Sequence, residues 1–246
     1  MRIQLTRFAV AVMLSGSAVL AQAPAGTAPA AAPAGAAQPT TEERLAAIKQ
    51  SLAQSQKNLR SYEWVETTVI AMKGEVKSQT QARCYYGADG TLQKTPISAP
   101  PPPAKEQKGL RGKVVASKKE EISDYMKKAV ALVKSYVPPD PALIQKSKDA
   151  GKMSTEMVQP GKLLRLVFRD YRLPGDSLGL GVDLTSNKLT GINVASYIDK
   201  PSDAVTLDVT MGVLDDGSVY SAKTVLNATA QNMIVTITNS GYKKNG

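Results

Sequence analysis

From Lys152 to the C-terminus, apolar and polar residues alternate over one short segment after another, and no other feature limits the fold as strongly. Leu164, Leu166 and Phe168 mark one such segment, and Leu178, Leu180, Val182 and Leu184 mark the next. Ile192, Val194 and Ile198 follow, then Val205, Leu207, Val209, Met211 and Val213, then 219–226 and 233–238. Successive side chains on a strand point to opposite faces, so each segment has one apolar face and one polar face. Thr185-Ser186-Asn187-Lys188 and Asp215-Asp216-Gly217 supply turns, and strands joined this tightly in sequence pair as an antiparallel meander. The apolar face of that meander has to be covered.

Three helices are available to cover it. Thr40 and Glu43 have capping-box spacing, and Leu45, Ile48, Leu52 and Leu59 then recur at helical intervals to about Arg60. Ser117 and Glu120 repeat the capping spacing ahead of the stripe Ile122, Met126, Ala129 and Val133, which Pro138-Pro139 stop. Asp140 as N-cap and Pro141 in the first turn open a short third helix that ends at Gly151. Between the first two helices the period changes. Tyr62, Trp64, Thr68, Ile70 and Met72 share one strand face, Lys73-Gly74-Glu75 turns the chain, and 76–86 returns. Ala88-Asp89-Gly90 makes another turn before a short strand at 91–95, and Pro100-Pro101-Pro102-Pro103 reads as an extended loop. The expected fold is α+β: a strongly curved antiparallel β-sheet, a half-open β-barrel, covered by about three α-helices.

The first 39 residues read differently. Arg2 and Arg7 precede an apolar stretch from Phe8 to Leu20, and small residues flank a cleavage position after Ala21, so 1–21 is expected to be a cleaved signal peptide. Residues 22–39 carry no large apolar side chain and are expected to form a disordered Ala/Pro-rich leader, leaving 40–246 as a single domain. Such a protein works in the periplasm or is secreted. Losing Arg2 and Arg7 lowers the basic count from 31 to 29 against 21 acids, a net charge of +8. An exported basic protein meets anionic lipid, polysaccharide or acidic protein rather than nucleic acid, and a monomer is expected.

Chemistry is constrained by what the sequence lacks. It has no histidine, which removes Ser-His-Asp and Cys-His machinery and most zinc and copper sites. Gly175-Asp176-Ser177-Leu178-Gly179 matches a lipase and esterase nucleophile string, yet strand alternation continues through it and no base accompanies it, so it reads as a turn entering a strand. Gly179-Leu180-Gly181 lacks the third glycine and the following helix of a nucleotide loop. The acidic turns at 199–203 and 215–217 fall short of the ligand count of a dedicated calcium site. Cys84, the only cysteine, cannot form an internal disulfide and reads as a buried small side chain. No catalytic residue, metal or cofactor is expected.

Residues 105–128 hold eight basic residues against four acids, and Lys105, Lys108, Arg111, Lys113, Lys118 and Lys119 form a candidate contact for an anionic membrane surface or an acidic partner. The bland reading is a solvated helix face. In element order the chain resembles the LolA-type carriers of the bacterial envelope, which include LolA, LolB and related lipid-binding proteins. The local likenesses are Leu59-Arg60-Ser61-Tyr62 leading into the first hairpin, Tyr86-Gly87-Ala88-Asp89-Gly90, and Asp216-Gly217-Ser218-Val219-Tyr220. The resemblance implies a half-barrel whose apolar cavity receives the acyl chains of a lipid or lipoprotein. Tyr62, Trp64, Met72, Met211 and Met233 are the candidate wall residues, the methionines being able to adapt to an irregular ligand. The competing expectation is a surface interaction module of the envelope with a filled core and no ligand.

Overall fold

The computed structural model describes residues 40–97 and 110–245. The expected signal peptide and leader, 1–21 and 22–39, lie outside the described residues. Thr40 caps the first helix, α1 (Thr41–Leu59): its hydroxyl accepts from the Glu43 amide at 3.2 Å, and the Glu43 carboxylate accepts from the Thr40 amide at 2.7 Å. The capping box read from the sequence is therefore formed, satisfying amides that a helix start leaves open. α1 leads into β1 (Tyr62–Met72), β2 (Glu75–Tyr86) and the short β3 (Leu92–Pro96). The long α2 (Leu110–Lys134) and short α3 (Pro141–Asp149) follow. The rest is strand: β4 (Met153–Gln159), β5 (Leu163–Arg169), β6 (Ser177–Asp183), β7 (Lys188–Tyr197), β8 (Ala204–Val213), β9 (Val219–Ala228) and β10 (Met233–Lys244). Helix, hairpin, two helices and terminal meander is the order read from the sequence.

All ten strands form one antiparallel sheet in the order β3-β2-β1-β10-β9-β8-β7-β6-β5-β4. The sheet curves but does not close, since β3 and β4 remain its two edges. Neighbours in the sheet are neighbours in sequence except at one place: the first strand, β1, pairs with the last, β10. Ile70 faces Val235 and Met72 faces Met233 across that seam, which matches their apolar faces. One extra residue on β10, with Gly241 at φ 65°, makes a bulge near its end. The bulge resets the alternation, so Asn239 and Tyr242 both meet Trp64 on the inner side.

One cluster of buried residues forms the core between helices and sheet. It joins Ile48 of α1 and Met126, Ala129 and Val133 of α2 to Leu166, Phe168, Leu178, Val182, Ile192, Val194, Leu207, Leu226 and Met233 of the sheet. The helices rest mainly on β5, β7, β8 and β9. Ser55 locks α1 down, its hydroxyl accepting from the Val219 amide at 2.9 Å and donating to the Ser51 carbonyl at 2.7 Å.

Two expectations need correction. α2 begins at Leu110, seven residues before the predicted cap at Ser117, because Arg111, Lys113 and Ala116 favour helix and the capping spacing falls inside it. β4 is an additional strand. Its sequence, Met153-Ser154-Thr155-Glu156-Met157-Val158-Gln159, has no apolar alternation because it is an edge strand, exposed from Thr155 onward.

Candidate functional site

Beneath the helices the interior is filled. Leu166, Phe168, Leu178, Val182, Val205 and Leu207 are fully buried there. Where the helices make few contacts, the same inner face continues across β10, β1, β2 and β3, and this stretch is the candidate site. Along β1 it carries Trp64, Glu66, Thr68, Ile70 and Met72, and across the ladder from them stand Cys84, Ala82, Thr80 and Ser78 of β2. Beyond Cys84 comes Lys94 of the edge strand β3.

One end of this face is aromatic. Trp64 stacks on Tyr242 with ring centroids 5.3 Å apart and planes at 11°, and it touches Tyr86 at 5.9 Å. Its indole N–H donates to the Asn239 side-chain oxygen at 3.1 Å. Tyr62 meets Tyr242 edge-on and donates its hydroxyl to Asp216 at 2.9 Å. Burial holds the phenols of Tyr86 and Tyr242 above the usual tyrosine range. This end is a braced wall, with every polar tip just named engaged except the two raised phenols. The other end, with Ile70, Met72 and Val235, is apolar and half-buried against the core.

Between the two ends lies an ion pair. The Lys94 ammonium contacts both carboxylate oxygens of Glu66, at 2.6 and 2.5 Å. The Lys94 side chain is 20% exposed and that of Glu66 15%. Glu66 lies opposite Ala82 and Lys94 lies opposite Cys84, so the lysine crosses β2 over two small side chains. Cys84 is fully buried below, its thiol pushed up to about 11, mainly by burial and further by the Glu66 charge. Its predicted role as a small core residue is what the structure shows.

The five candidate wall residues separate. Tyr62 and Trp64 belong to the aromatic end, buried rather than lining open space. Met72 and Met233 are direct cross-strand partners at the opposite end, Met72 half-buried and Met233 only 2% exposed. Met211 sits on β8 opposite Ser221, half-buried against the core and away from the β1–β3 face. Of the basic candidates, Lys118 is exposed on α2. Arg111, Lys113 and Lys119 lie on the same helix but their side chains are not among the described ones, and Lys105 and Lys108 lie outside the described residues. Glu66 and Lys94 were not anticipated. A carboxylate at an inward position between Trp64 and Thr68 was the available signal.

The lipase-like string has a structural use. Ser177 opens β6 opposite Ala195, and Asp176 before it is 2% exposed. The Asp176 carboxylate accepts from the Arg172 and Leu173 amides, at 3.0 and 2.8 Å, and from the Tyr136 hydroxyl. That hydroxyl also lies 2.8 Å from Ser196 Oγ. Among the described residues no group of three or more His, Cys, Asp or Glu is placed to hold a metal ion.

No family model and no curated protein matches the sequence. Solved structures do. A LolA superfamily protein from Nitrosomonas europaea is 10% identical, over 81% of this chain and 94% of its own, with a TM-score of 0.34. A DUF1329 family protein from Desulfovibrio piger is 10% identical over 80% and 93%, TM-score 0.32. A domain named for outer membrane lipoprotein sorting, from Vibrio parahaemolyticus, is 9% identical over 79% and 91%, TM-score 0.35. Superposition at these scores is loose, and what the site can hold is set by its own residues.

On the opposite, outer face a depression of about 330 Å³ is lined by Glu63, Arg83, Tyr85, Thr95 and Asn245. Arg83 is ion-paired with Glu63 there and lies 6.0 Å from the Tyr85 ring. These charges already answer one another.

Proposed function

We propose that the protein is an exported, non-catalytic envelope protein that holds an amphipathic ligand, a lipid or the acyl chains of a lipoprotein, against the inner face of β10, β1, β2 and β3. One observation carries this reading. The inner face continues past the strands on which the helices mainly rest, and there it presents Ile70, Met72 and Val235 only half-buried. A half-buried apolar strip on a concave surface gains from a ligand that removes it from water, at roughly 25 cal/mol per Å² covered.

The test uses the alternation of β1. Lipids extracted from natively purified protein are identified by mass spectrometry for the wild type, for Ile70→Glu on the inner face and for Val69→Glu on the outer face. Bound lipid in the wild type and in Val69→Glu, lost in Ile70→Glu, supports the reading. A lipid-free wild type, or equal loss from both variants, overturns it. Fractionation of the native host, with sequencing of the mature N-terminus, tests export and cleavage near Ala21.

A second reading, a surface interaction module with a filled core, is supported by the fully buried interior under the helices. Under that reading the wild type carries no lipid, and charge reversal at Lys118 and Lys119 removes a co-purifying partner or binding to anionic vesicles.

A further inference from the structure

The ion pair on the inner face answers which lipid would be held, and this inference rests on the lipid-holding reading above. We propose that Glu66 and Lys94 form the seat of a zwitterionic lipid headgroup, the phosphate taken by Lys94 and the ammonium by Glu66.

Two charges face the same side as Trp64, Ile70 and Met72, among side chains that are apolar, aromatic or hydroxylic apart from the Asn239 amide opposite Glu66. Side-chain exposures of 15% and 20% leave each group reachable by a ligand but poorly hydrated. In such surroundings an unpaired charge is costly, so an occupant has to replace what it displaces. A single anion at Lys94 would strip Glu66 of its partner and add a like charge beside it. A single cation at Glu66 would do the reverse. A headgroup carrying both signs replaces one internal pair by two external ones and leaves net charge unchanged. Charge complementarity therefore selects a zwitterion over either ion.

The surroundings select a lipid over a free zwitterion. Thr68 and Thr80 face each other across the ladder next to the pair, offering hydroxyls to a phosphate or ester. Ile70 and Met72 continue along the same face of β1, where acyl chains would lie. Lys94 stands on an edge strand, and at position 82 below its side chain there is only a methyl group, so the ammonium has room to swing from Glu66 to a phosphate.

Trp64, the only tryptophan, is two residues from Glu66 on the same face and reports on binding. Its fluorescence is titrated with dihexanoyl phosphatidylethanolamine and with dihexanoyl phosphatidylglycerol, both as monomers. The wild type should bind the ethanolamine lipid about ten- to thirtyfold more tightly, the value of one charge-assisted hydrogen bond gained. Glu66→Gln frees Lys94 and should reverse that preference. The exchanged variant Glu66→Lys with Lys94→Glu keeps a neutral pair and should keep the preference, which separates charge pairing from damage to the fold. Equal binding of both lipids by the wild type, or a preference untouched by Glu66→Gln, overturns the headgroup assignment while leaving lipid binding intact. Binding of neither lipid, with no lipid in the purified protein, overturns the functional reading itself.

Discussion

Replacing Tyr136 by phenylalanine removes one oxygen atom from a deeply buried polar cluster. Tyr136 is fully buried at the end of α2, and its hydroxyl donates to Asp176, itself 2% exposed. The Arg172 and Leu173 amides remain as donors to that carboxylate, and Ser196 Oγ is close enough to turn toward the gap. The loss is therefore one hydrogen bond to a buried charged acceptor, partly compensated, at about 2 kcal/mol. For a domain of about 200 residues this lowers the melting temperature by about 4–8 °C. Differential scanning calorimetry at pH 7 measures it directly. Tyr125 is the internal control, since it makes the same type of bond, to Asp203 at 2.5 Å, from a half-buried position where water can substitute. Tyr125→Phe should cost about half as much. A Tyr136→Phe protein that melts within about 1 °C of the wild type, or one less affected than Tyr125→Phe, would refute the assignment of Asp176 as a buried structural acceptor.

Cys84, fully buried and with its thiol pushed up to about 11, should resist a disulfide reagent at pH 8 in the native protein and react at once in 6 M guanidinium; rapid native labelling would contradict its burial. Tyr86, Tyr125, Tyr136, Tyr171 and Tyr242 all have phenols raised above the ordinary value of 10.0, burial coming first in each case. They stay neutral in the folded state while the unfolded chain ionises, so the stability they contribute is present below pH 10 and lost as pH rises beyond it. Urea midpoints should fall above that pH, and the larger part of the rise in absorbance at 295 nm should accompany unfolding. Gly191→Ala places a methyl carbon 2.8 Å from the Val209 carbonyl oxygen on the neighbouring strand, a backbone atom that cannot turn aside, and should cost about 1–3 kcal/mol in thermal denaturation.

What could be read from the sequence follows from how local each signal is. β5 to β9 and the first half of β10 were legible because each buries mainly one face, as Leu164, Leu166 and Phe168 show on β5. β4 was not, because an edge strand exposed from Thr155 onward has no reason to alternate. The start of α2 was misplaced because Ser117 and Glu120 have the spacing of a cap wherever they stand, and only the chain before them decides whether they are one. The pairing of β1 with β10 is encoded in no short segment; it emerges when Ile70 and Met72 must find Val235 and Met233. The site divides the same way. Glu66 could have been noticed as a charge in an apolar register, whereas Lys94 reaches it only because β3 pairs with β2 at a particular offset.

The seam between β1 and β10 joins residues 62–72 to residues 233–244, the first strand to the last. A polypeptide that emerges from its N-terminus, whether from a ribosome or through a membrane pore, displays β1 long before β10 exists. Until the last dozen residues arrive, that strand keeps an open hydrogen-bonding edge ready for any other strand, including one from a second nascent copy. Completion is thus deferred until β10 arrives, and deleting a few residues of β10 should harm folding yield more than deleting an equal number before Thr40.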